Sequence, residues 1–254
     1  MFKTIAVRQA QGTQFIPNLR AAQPGGFRGK PVIADAACAP DCRACVEVCP
    51  TDAIVLNTAG ADAVAIDLGR CVMCGDCAPA CPSQKLSFSN DVKLCATTRA
   101  GLVVTAARPN IDPIQVSAEL KKRFGRSLKL RAVSAGSCNG CEMEVNAWGN
   151  VNFDIGRYGI DLVASPRHAD GLVITGVLNR NMMAALQIAW DAMPEPKLVI
   201  AVGACAISGG VFAEGDALAR EFLDKFPPSL YVPGCPAHPL TFISGIMDLL
   251  GIGC

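Results

Sequence analysis

Long apolar segments are missing from this 254-residue sequence. Its most apolar stretch, LVIAVGACAISGGVF at 198–212, is shorter than a membrane span and is interrupted by glycines, a serine and a cysteine. The first residues, MFKTIAVRQAQ, belong to a segment without the apolar core and small-residue cleavage site of a secretory signal. These absences predict a chain that is soluble or attached to a membrane only peripherally.

An excess of charge of one sign is also missing. The 23 basic residues nearly balance the 22 acidic ones, and the net charge is only +1 at pH 7. Sequence-independent nucleic-acid binding depends on a surplus of lysine and arginine that faces the phosphates. We therefore expect no nucleic-acid partner.

Cysteine, in contrast, is abundant, with 14 residues in the chain. A disulfide framework is not expected without a secretory signal, because disulfides persist mainly in oxidising compartments. Thiols of this number are then expected to be metal ligands, and their spacing indicates which metal group they hold.

The run CVMCGDCAPACP at 71–82 has the spacing C-x2-C-x2-C-x3-C-P. This spacing is typical of bacterial ferredoxins with [4Fe–4S] clusters, in which the fourth cysteine of a run ligates the other cluster of a pair. A zinc site and purely structural thiols are the alternatives.

A second run, CAPDCRACVEVCP at 38–50, keeps this spacing except that its first gap has three residues instead of two. One additional loop residue has a small entropic cost, and we predict a cluster here as well. Exchange of the fourth cysteines then predicts two ligand sets. They are Cys38, Cys42, Cys45 and Cys81 in one set, and Cys71, Cys74, Cys77 and Cys49 in the other.

Strand-like segments follow the two runs, AIVLN at 53–57 and KLSFS at 85–89. Two such repeats predict a small α+β ferredoxin-like domain of order βαββαβ in residues 31–90. With an N-terminal extension this domain spans 1–90. The next segment, 91–126, is predicted to be a linker with one amphipathic helix at 114–125. Cys95, which fits no ligand spacing, is expected to be a buried, inert thiol.

Short runs rich in valine, isoleucine and leucine recur in residues 127–254, and helical stretches at 182–193 and 215–226 separate the later ones. Such alternation predicts an α/β fold with an open parallel, flavodoxin-like sheet and helices on both faces. The predicted strands are 128–134, 161–165, 171–175, 197–203 and 229–233.

Four further cysteines lie in three loops that follow predicted strands. Ligands of open α/β sheets bind beyond the carboxyl ends of the strands, and we expect these thiols to converge there. Four thiolates fit either zinc or a [4Fe–4S] cluster, and the cluster is the coherent choice beside two ferredoxin sites. The four residues are Cys138, Cys141, Cys205 and Cys235.

Residues 127–254 resemble the small subunit shared by complex I-like, membrane-bound [NiFe] hydrogenases and the 20 kDa subunit of complex I. The matching stretches are GSCNGCEMEV, ASPRHADGLVITG, MPEPKLVIAVGACAISGGVF and YVPGCPAHP. Their first two cysteines are spaced as CxxC, as in the hydrogenases, whereas they are adjacent in the complex I subunit. Residues 1–90, including FRGKP at 27–31, resemble the two-cluster ferredoxin-type subunit of formate hydrogenlyase. The chain is thus similar to a fusion of two electron-transfer subunits.

The resemblance implies an oxidoreductase subunit that relays electrons through three [4Fe–4S] clusters and has no catalytic residue of its own. The [NiFe] centre would lie in a separate large subunit, against which the C-terminal domain docks. Further implied partners are membrane-arm subunits and a soluble redox partner, such as a formate or CO dehydrogenase module or a ferredoxin. The expected location is cytoplasmic, with peripheral attachment to the inner membrane through these partners.

Several polar residues receive candidate roles. In the resembling family an acid at the position of Glu144 lies beside the cluster of the C-terminal domain, and Glu144 would relay protons there. An acid at the start of a helix, favoured by the helix dipole, is equally consistent. Arg167 would donate hydrogen bonds to cluster sulfurs or form an interface salt bridge. His168 would titrate with electron transfer or make a structural contact. Glu142 is expected to be solvated or capping, and Cys254 to be a spare thiol.

Two other functions remain open. One is the equivalent subunit of a quinone-reducing or hydrogenase-derived complex whose large subunit lacks nickel. The other is a zinc-stabilised assembly protein without a redox role. Iron and acid-labile sulfide content distinguishes the zinc-stabilised protein from the two electron-transfer functions. Nickel in the partner subunit distinguishes the hydrogenase from the nickel-free complex.

Overall fold

The computed structural model describes residues 2–56, 64–116, 118–125 and 127–252. Cys254 and the last residue of the strand predicted at 53–57 lie outside these ranges. Within them the chain forms an N-terminal module of short antiparallel strands and a C-terminal module built on a parallel sheet.

The N-terminal module contains the predicted βαββαβ repeat. An initial helix, α1 (Phe2–Gln11), precedes the repeat. The elements of the repeat are β1 (Pro31–Ile33), α2 (Ala44–Glu47), β2 (Ile54–Leu56), β3 (Val64–Asp67), α3 (Cys77–Ala80) and β4 (Leu86–Phe88). β1 pairs with β4 and β2 pairs with β3, both antiparallel. The strands predicted after the cysteine runs are β2 and β4, and the ferredoxin-like fold is confirmed.

One further strand of this module lies beyond residue 90. β5 (Val103–Thr105) pairs antiparallel with β3, in the segment that the sequence assigned to a linker. The predicted helix of that segment is α4 (Ala118–Phe124), which buries Phe124. A boundary at residue 90 omits β5 because three residues are too few for a recognisable strand pattern.

The C-terminal module is an open, fully parallel sheet. Its order is β10-β9-β8-β6-β7, which is the flavodoxin-like order, and the predicted fold class is confirmed. The elements are β6 (Leu128–Ser134), α5 (Gly140–Ala147), β7 (Ile160–Leu162), β8 (Gly171–Thr175), α6 (Arg180–Asp191), β9 (Leu198–Val202), α7 (Ala204–Ser208), α8 (Glu221–Lys225), β10 (Leu230–Val232) and α9 (Pro239–Leu250).

Helices cover both faces of this sheet, and its two central strands β8 and β9 are buried at every position. Alternate residues of β8 join different cores: Leu172 packs in the cluster that contains α6 and α8, and Val173 in the cluster that contains α5 and α9. In the second core, Trp148 stacks on Phe242 with 3.5 Å between ring centroids. No helix in the described ranges is long and apolar enough to span a bilayer.

The two modules share contacts along the chain's N-terminal extension and through a common core. Leu19 is buried in the α5–α9 core, and Arg20 forms an ion pair with Asp248 of α9. On the other side, Leu68 and Leu102 of the N-terminal module lie in the same core cluster as Ile207 of α7. The helix that bears Cys205 is therefore packed close to the ferredoxin-like module.

The helix predicted at 215–226 is shorter in the structure and comprises only α8. The residues before it pair with the chain that enters α6: Leu218 forms an antiparallel bridge with Asn179, and Ala219 donates to the carbonyl of Leu178 at 2.8 Å. These bonds pair residues 217–219 with the chain before α6, and the three residues are not helical. The bonds are long-range in sequence, and helix propensity does not reveal them.

Candidate metal centres

The first ferredoxin set, site A (Cys38, Cys42, Cys45 and Cys81), lines one cavity. Burial raises the pKa of Cys45, and the nearby thiolates of Cys81, Cys38 and Cys42 raise it further. The last cysteine of the second run thus lies among the first three of the first run, in agreement with the crossover rule. The longer gap after Cys38 does not remove this residue from the cavity.

Lys85 is a residue of site A that the sequence analysis did not single out. Only 3% of its surface is exposed, and it lines the same cavity. Its backbone N–H donates to the Cys81 sulfur at 3.4 Å, and its ammonium donates to the carbonyl of Ala36. The internal repeat could have revealed it, because CPSQK aligns with CPTDA and sets Lys85 against Ala53.

The second ferredoxin set, site B (Cys49, Cys71, Cys74 and Cys77), lines a separate cavity. Burial raises the pKa of Cys71 to about 12 and that of Cys77 to about 11, and the thiolates of Cys49 and Cys74 add to both shifts. The backbone N–H of Ala53 donates to the Cys49 sulfur at 3.3 Å. Sites A and B adjoin, since the Cys45 thiolate also raises the pKa of Cys77.

Arg28, within the FRGKP segment, holds the loop of site B. Its guanidinium donates to the carbonyls of Met73, at 3.0 Å, and Cys74. Gly75 has φ +87°, and a Cβ there would stand 2.8 Å from the Arg28 Nε. Glycine at this position lets the arginine lie directly on the loop.

The third set, site C (Cys138, Cys141, Cys205 and Cys235), joins loops that follow β6, β9 and β10. Burial raises the pKa of Cys141 to about 12, and the thiolates of Cys235 and Cys205 contribute. Burial likewise raises the pKa of Cys235, followed by the effects of Cys205 and Cys138. The structure therefore brings the four predicted thiols together at the carboxyl edge of the sheet. Cys138 and Cys235 are exposed, whereas Cys205 is buried.

Gly203 allows the loops of site C to close on one another. It has φ +89° and ψ 155°, a conformation that side-chain-bearing residues rarely adopt. A Cβ on Gly203 would stand 2.5 Å from the Cys141 sulfur. The close approach of β9 to α5 thus depends on the missing side chain.

The thiols at these sites fit the ligands of an iron–sulfur cluster. They accept hydrogen bonds that stabilise thiolates: the Ala237 backbone donates to Cys141, the Ser137 hydroxyl to Cys205 and the Met73 backbone to Cys71. In the described part of the chain, no three His, Cys, Asp or Glu side chains are grouped for a single metal ion. The cysteines of sites A and B line one cavity each.

The two acids of GSCNGCEMEV have different surroundings. Glu142, expected to be solvated or capping, instead accepts a hydrogen bond from Thr175 at 2.8 Å because it points from α5 towards the end of β8. Its other oxygen is buried and has no hydrogen-bond partner among the described residues. Glu144 lines a cavity with Met73 and Cys235, and partial burial raises its pKa. Its proton-relay role stays a prediction.

Arg167 and His168 lie in a short 3-10 helix, Pro166–His168, that follows β7. Both side chains are exposed. Among the described residues, neither side chain forms a hydrogen bond or ion pair within the chain. Their interactions with cluster sulfurs or with a partner stay predictions.

Cys95, which lies outside the three sites in the described part of the chain, is a buried thiol. Cys95 is 6% exposed and lies beside α9, where its thiol donates to the carbonyl of Thr241 at 3.1 Å. Burial raises its pKa far above the usual range, which agrees with an inert thiol.

Comparisons with known proteins match both modules. Residues 138–249 match the family described as NADH ubiquinone oxidoreductase, 20 kDa subunit, and residues 37–85 match the 4Fe–4S dicluster domain. The chain is 38% identical over 130 residues to a probable membrane-bound hydrogenase subunit of Pyrococcus furiosus, covering 51% of this chain and 78% of that one. It is 39% identical over 137 residues to formate hydrogenlyase subunit 7 of Escherichia coli, covering 54% of each chain. With a subunit of the F420H2 dehydrogenase of Methanosarcina mazei it shares 43% identity over 109 residues, 43% of this chain and 59% of that one.

Fold, cysteine sites and matched domains define an iron–sulfur electron-transfer subunit of an oxidoreductase complex. The chain belongs to the family of the 20 kDa subunit of NADH ubiquinone oxidoreductase, which includes relatives in membrane-bound hydrogenases and formate hydrogenlyase. A dicluster domain precedes the family domain in the same polypeptide. The chain spans only about half of the Escherichia coli relative.

Proposed function

We propose that this chain is the electron-transfer subunit of a complex I-like [NiFe] hydrogenase and that sites A, B and C each hold one [4Fe–4S] cluster. The observation that carries the proposal is the grouping of twelve cysteines into three sets of four, two around cavities and one at the carboxyl edge of the sheet. When bound, such a cluster supplies a centre that accepts and releases one electron.

The packing of the modules favours a route from site C to site B and then to site A. Met73, in the loop of site B, and Cys235 of site C line one cavity between the modules. Sites B and A adjoin through Cys77 and Cys45. Site C therefore has site B as its neighbour, and site A is the outer end of the row.

Site C has the features of a docking edge for a catalytic large subunit. Two of its ligands, Cys138 and Cys235, are exposed in this chain. Large apolar side chains beside it are also exposed: Met143 in α5, and Val211 and Phe212 in the 3-10 helix after α7. A partner that covers this edge would exclude water from the ligands and bury the apolar side chains.

The relatives support further partners. A membrane-bound hydrogenase subunit and a formate hydrogenlyase subunit are both similar to this chain. We therefore expect membrane-arm subunits that attach the complex peripherally to the inner membrane. A soluble redox partner, such as a formate or CO dehydrogenase module or a ferredoxin, would meet the ferredoxin-like module at site A.

A second candidate function is supported by other relatives. Identity is 43% with the F420H2 dehydrogenase relative and 42% with a subunit of the NADH-quinone oxidoreductase of Geotalea daltonii, both over 109 residues. The chain would then serve a quinone-reducing complex without nickel. The CxxC spacing of Cys138 and Cys141 favours the hydrogenase over this alternative.

Anaerobic purification of the chain with its natural partners tests the function. We expect about twelve irons and an equal amount of acid-labile sulfide per chain, since a [4Fe–4S] cluster at each site contains four of each. Nickel in the co-purified large subunit and reduction of the clusters by hydrogen would establish the hydrogenase. A nickel-free complex that reduces quinone would favour the second candidate.

A zinc content of one ion per site, with little sulfide, would refute both redox functions and favour the zinc-stabilised assembly protein. Iron near four per chain would refute the three-cluster proposal, because only one of the three sites would then be filled.

A further inference from the structure

Lys85 places a positive charge in the interior of the ferredoxin-like module. The residue is 3% exposed, and the ion pairs of the described residues do not include it. Its ammonium donates to one backbone carbonyl, that of Ala36, which precedes Cys38 by two residues. A buried ammonium without an opposite charge is strongly unfavourable, and its burial here calls for negative charge nearby.

The cysteines of site A are the groups beside Lys85 that could supply this negative charge as thiolates. Lys85 lines the cavity of site A together with its four cysteines, and its backbone N–H donates to the Cys81 sulfur at 3.4 Å. Four thiolates carry more negative charge than an iron–sulfur core offsets, and each added electron increases the excess. A fixed cation in a site of low dielectric therefore stabilises the reduced form more than the oxidised form.

The internal repeat provides a comparison within the molecule. Ala53 stands at the corresponding position of site B: it follows Cys49 by four residues, as Lys85 follows Cys81, and its N–H makes the same contact with sulfur at 3.3 Å. Ala53 also lines the cavity of site B. The fold thus accepts alanine at this position, and the lysine at site A is not required by the local backbone.

We infer that Lys85 is the counter-charge of site A and raises the reduction potential of the cluster held there; this rests on the proposed function. Lys85 acts on the cluster only through the charge of its ammonium and is not a ligand of the iron. Electrons pass from site C through site B to site A in the proposed route. A higher potential at site A favours reduction of that cluster, where a soluble partner would meet the chain.

Redox titration of the purified complex, followed by EPR, tests the inference. In Lys85→Met, which keeps the length of the side chain and removes its charge, the midpoint potential of one cluster should fall while the other two stay unchanged. Lys85→Ala, which copies the first repeat, should shift the same cluster in the same direction. Lys85→Arg should retain the wild-type potential. The shifted signal should be the one that disappears in Cys42→Ser.

Lys93→Met is the matched control, because it removes the same charge from an exposed side chain of the segment after β4. It should leave all three potentials unchanged. Three intact clusters with unshifted potentials in Lys85→Met and Lys85→Ala would overturn the inference while leaving the proposed function intact. Loss of the site A cluster in every Lys85 variant, arginine included, would assign the residue to assembly and also overturn it. A wild-type protein without iron would refute the proposed function itself.

Discussion

Substitution of Gly203 by alanine should damage site C selectively. Gly203 has φ +89° and ψ 155°, and a Cβ there would stand 2.5 Å from the Cys141 sulfur. Residues held in this region of backbone space cost about 1–3 kcal/mol when they bear a side chain. Non-bonded carbon atoms prefer separations of about 3.5–4.0 Å, and the sulfur must therefore move by roughly 1 Å or more.

The two effects are measured separately. Strain should lower the thermal midpoint of the complex-bound chain by about 2–4 °C for each kcal/mol, given a chain of this size. Displacement of the Cys141 thiolate should remove or weaken one cluster, and iron should fall by about a third if each site holds four irons. Iron analysis, EPR and calorimetry on the same preparation give the three values.

Gly149→Ala is the matched control for this substitution. Gly149 follows α5, and a Cβ there would meet no atom within 4 Å. The control should keep wild-type iron, EPR signals and thermal midpoint. If Gly203→Ala matched the control in all three measurements, the close contact between Gly203 and the Cys141 sulfur would be refuted.

Two further substitutions test other parts of the structure. Cys141→Ser removes a ligand of site C only, and we expect two cluster signals to remain while hydrogen turnover coupled to the large subunit is lost. The control Cys95→Ser, at a buried thiol outside the sites, should keep all three clusters. Three clusters with coupled activity in Cys141→Ser would contradict the ligand set. Phe242→Ala removes a fully buried ring stacked on Trp148 with 3.5 Å between ring centroids. Denaturant unfolding should show that the free energy of unfolding falls by about 3–5 kcal/mol. A decrease below about 1 kcal/mol would contradict this packing.

Local patterns were sufficient for the elements whose determinants lie close together in sequence. The runs at 38–50 and 71–82 contain all the cysteines of sites A and B, and the two β-strands that follow them are where the pattern predicts. The strands β8 and β9 were predicted from continuous, mainly apolar runs, because burial on both faces leaves few polar positions. Residues 217–219 and β5 were missed, since distant backbone partners hold both in place.

The sequence by itself determined the number of cysteine sets, the crossover between the two runs and the α/β character of the C-terminal half, because spacing and hydrophobic period are local properties. Only the tertiary structure decided which polar side chains meet the cysteine sites. Lys85 lines the cavity of site A, Arg28 lies on the loop of site B, and Glu142 accepts a hydrogen bond from Thr175. Each of these contacts depends on packing between segments far apart in the chain, which fixes the direction of a side chain and the dielectric around its charge.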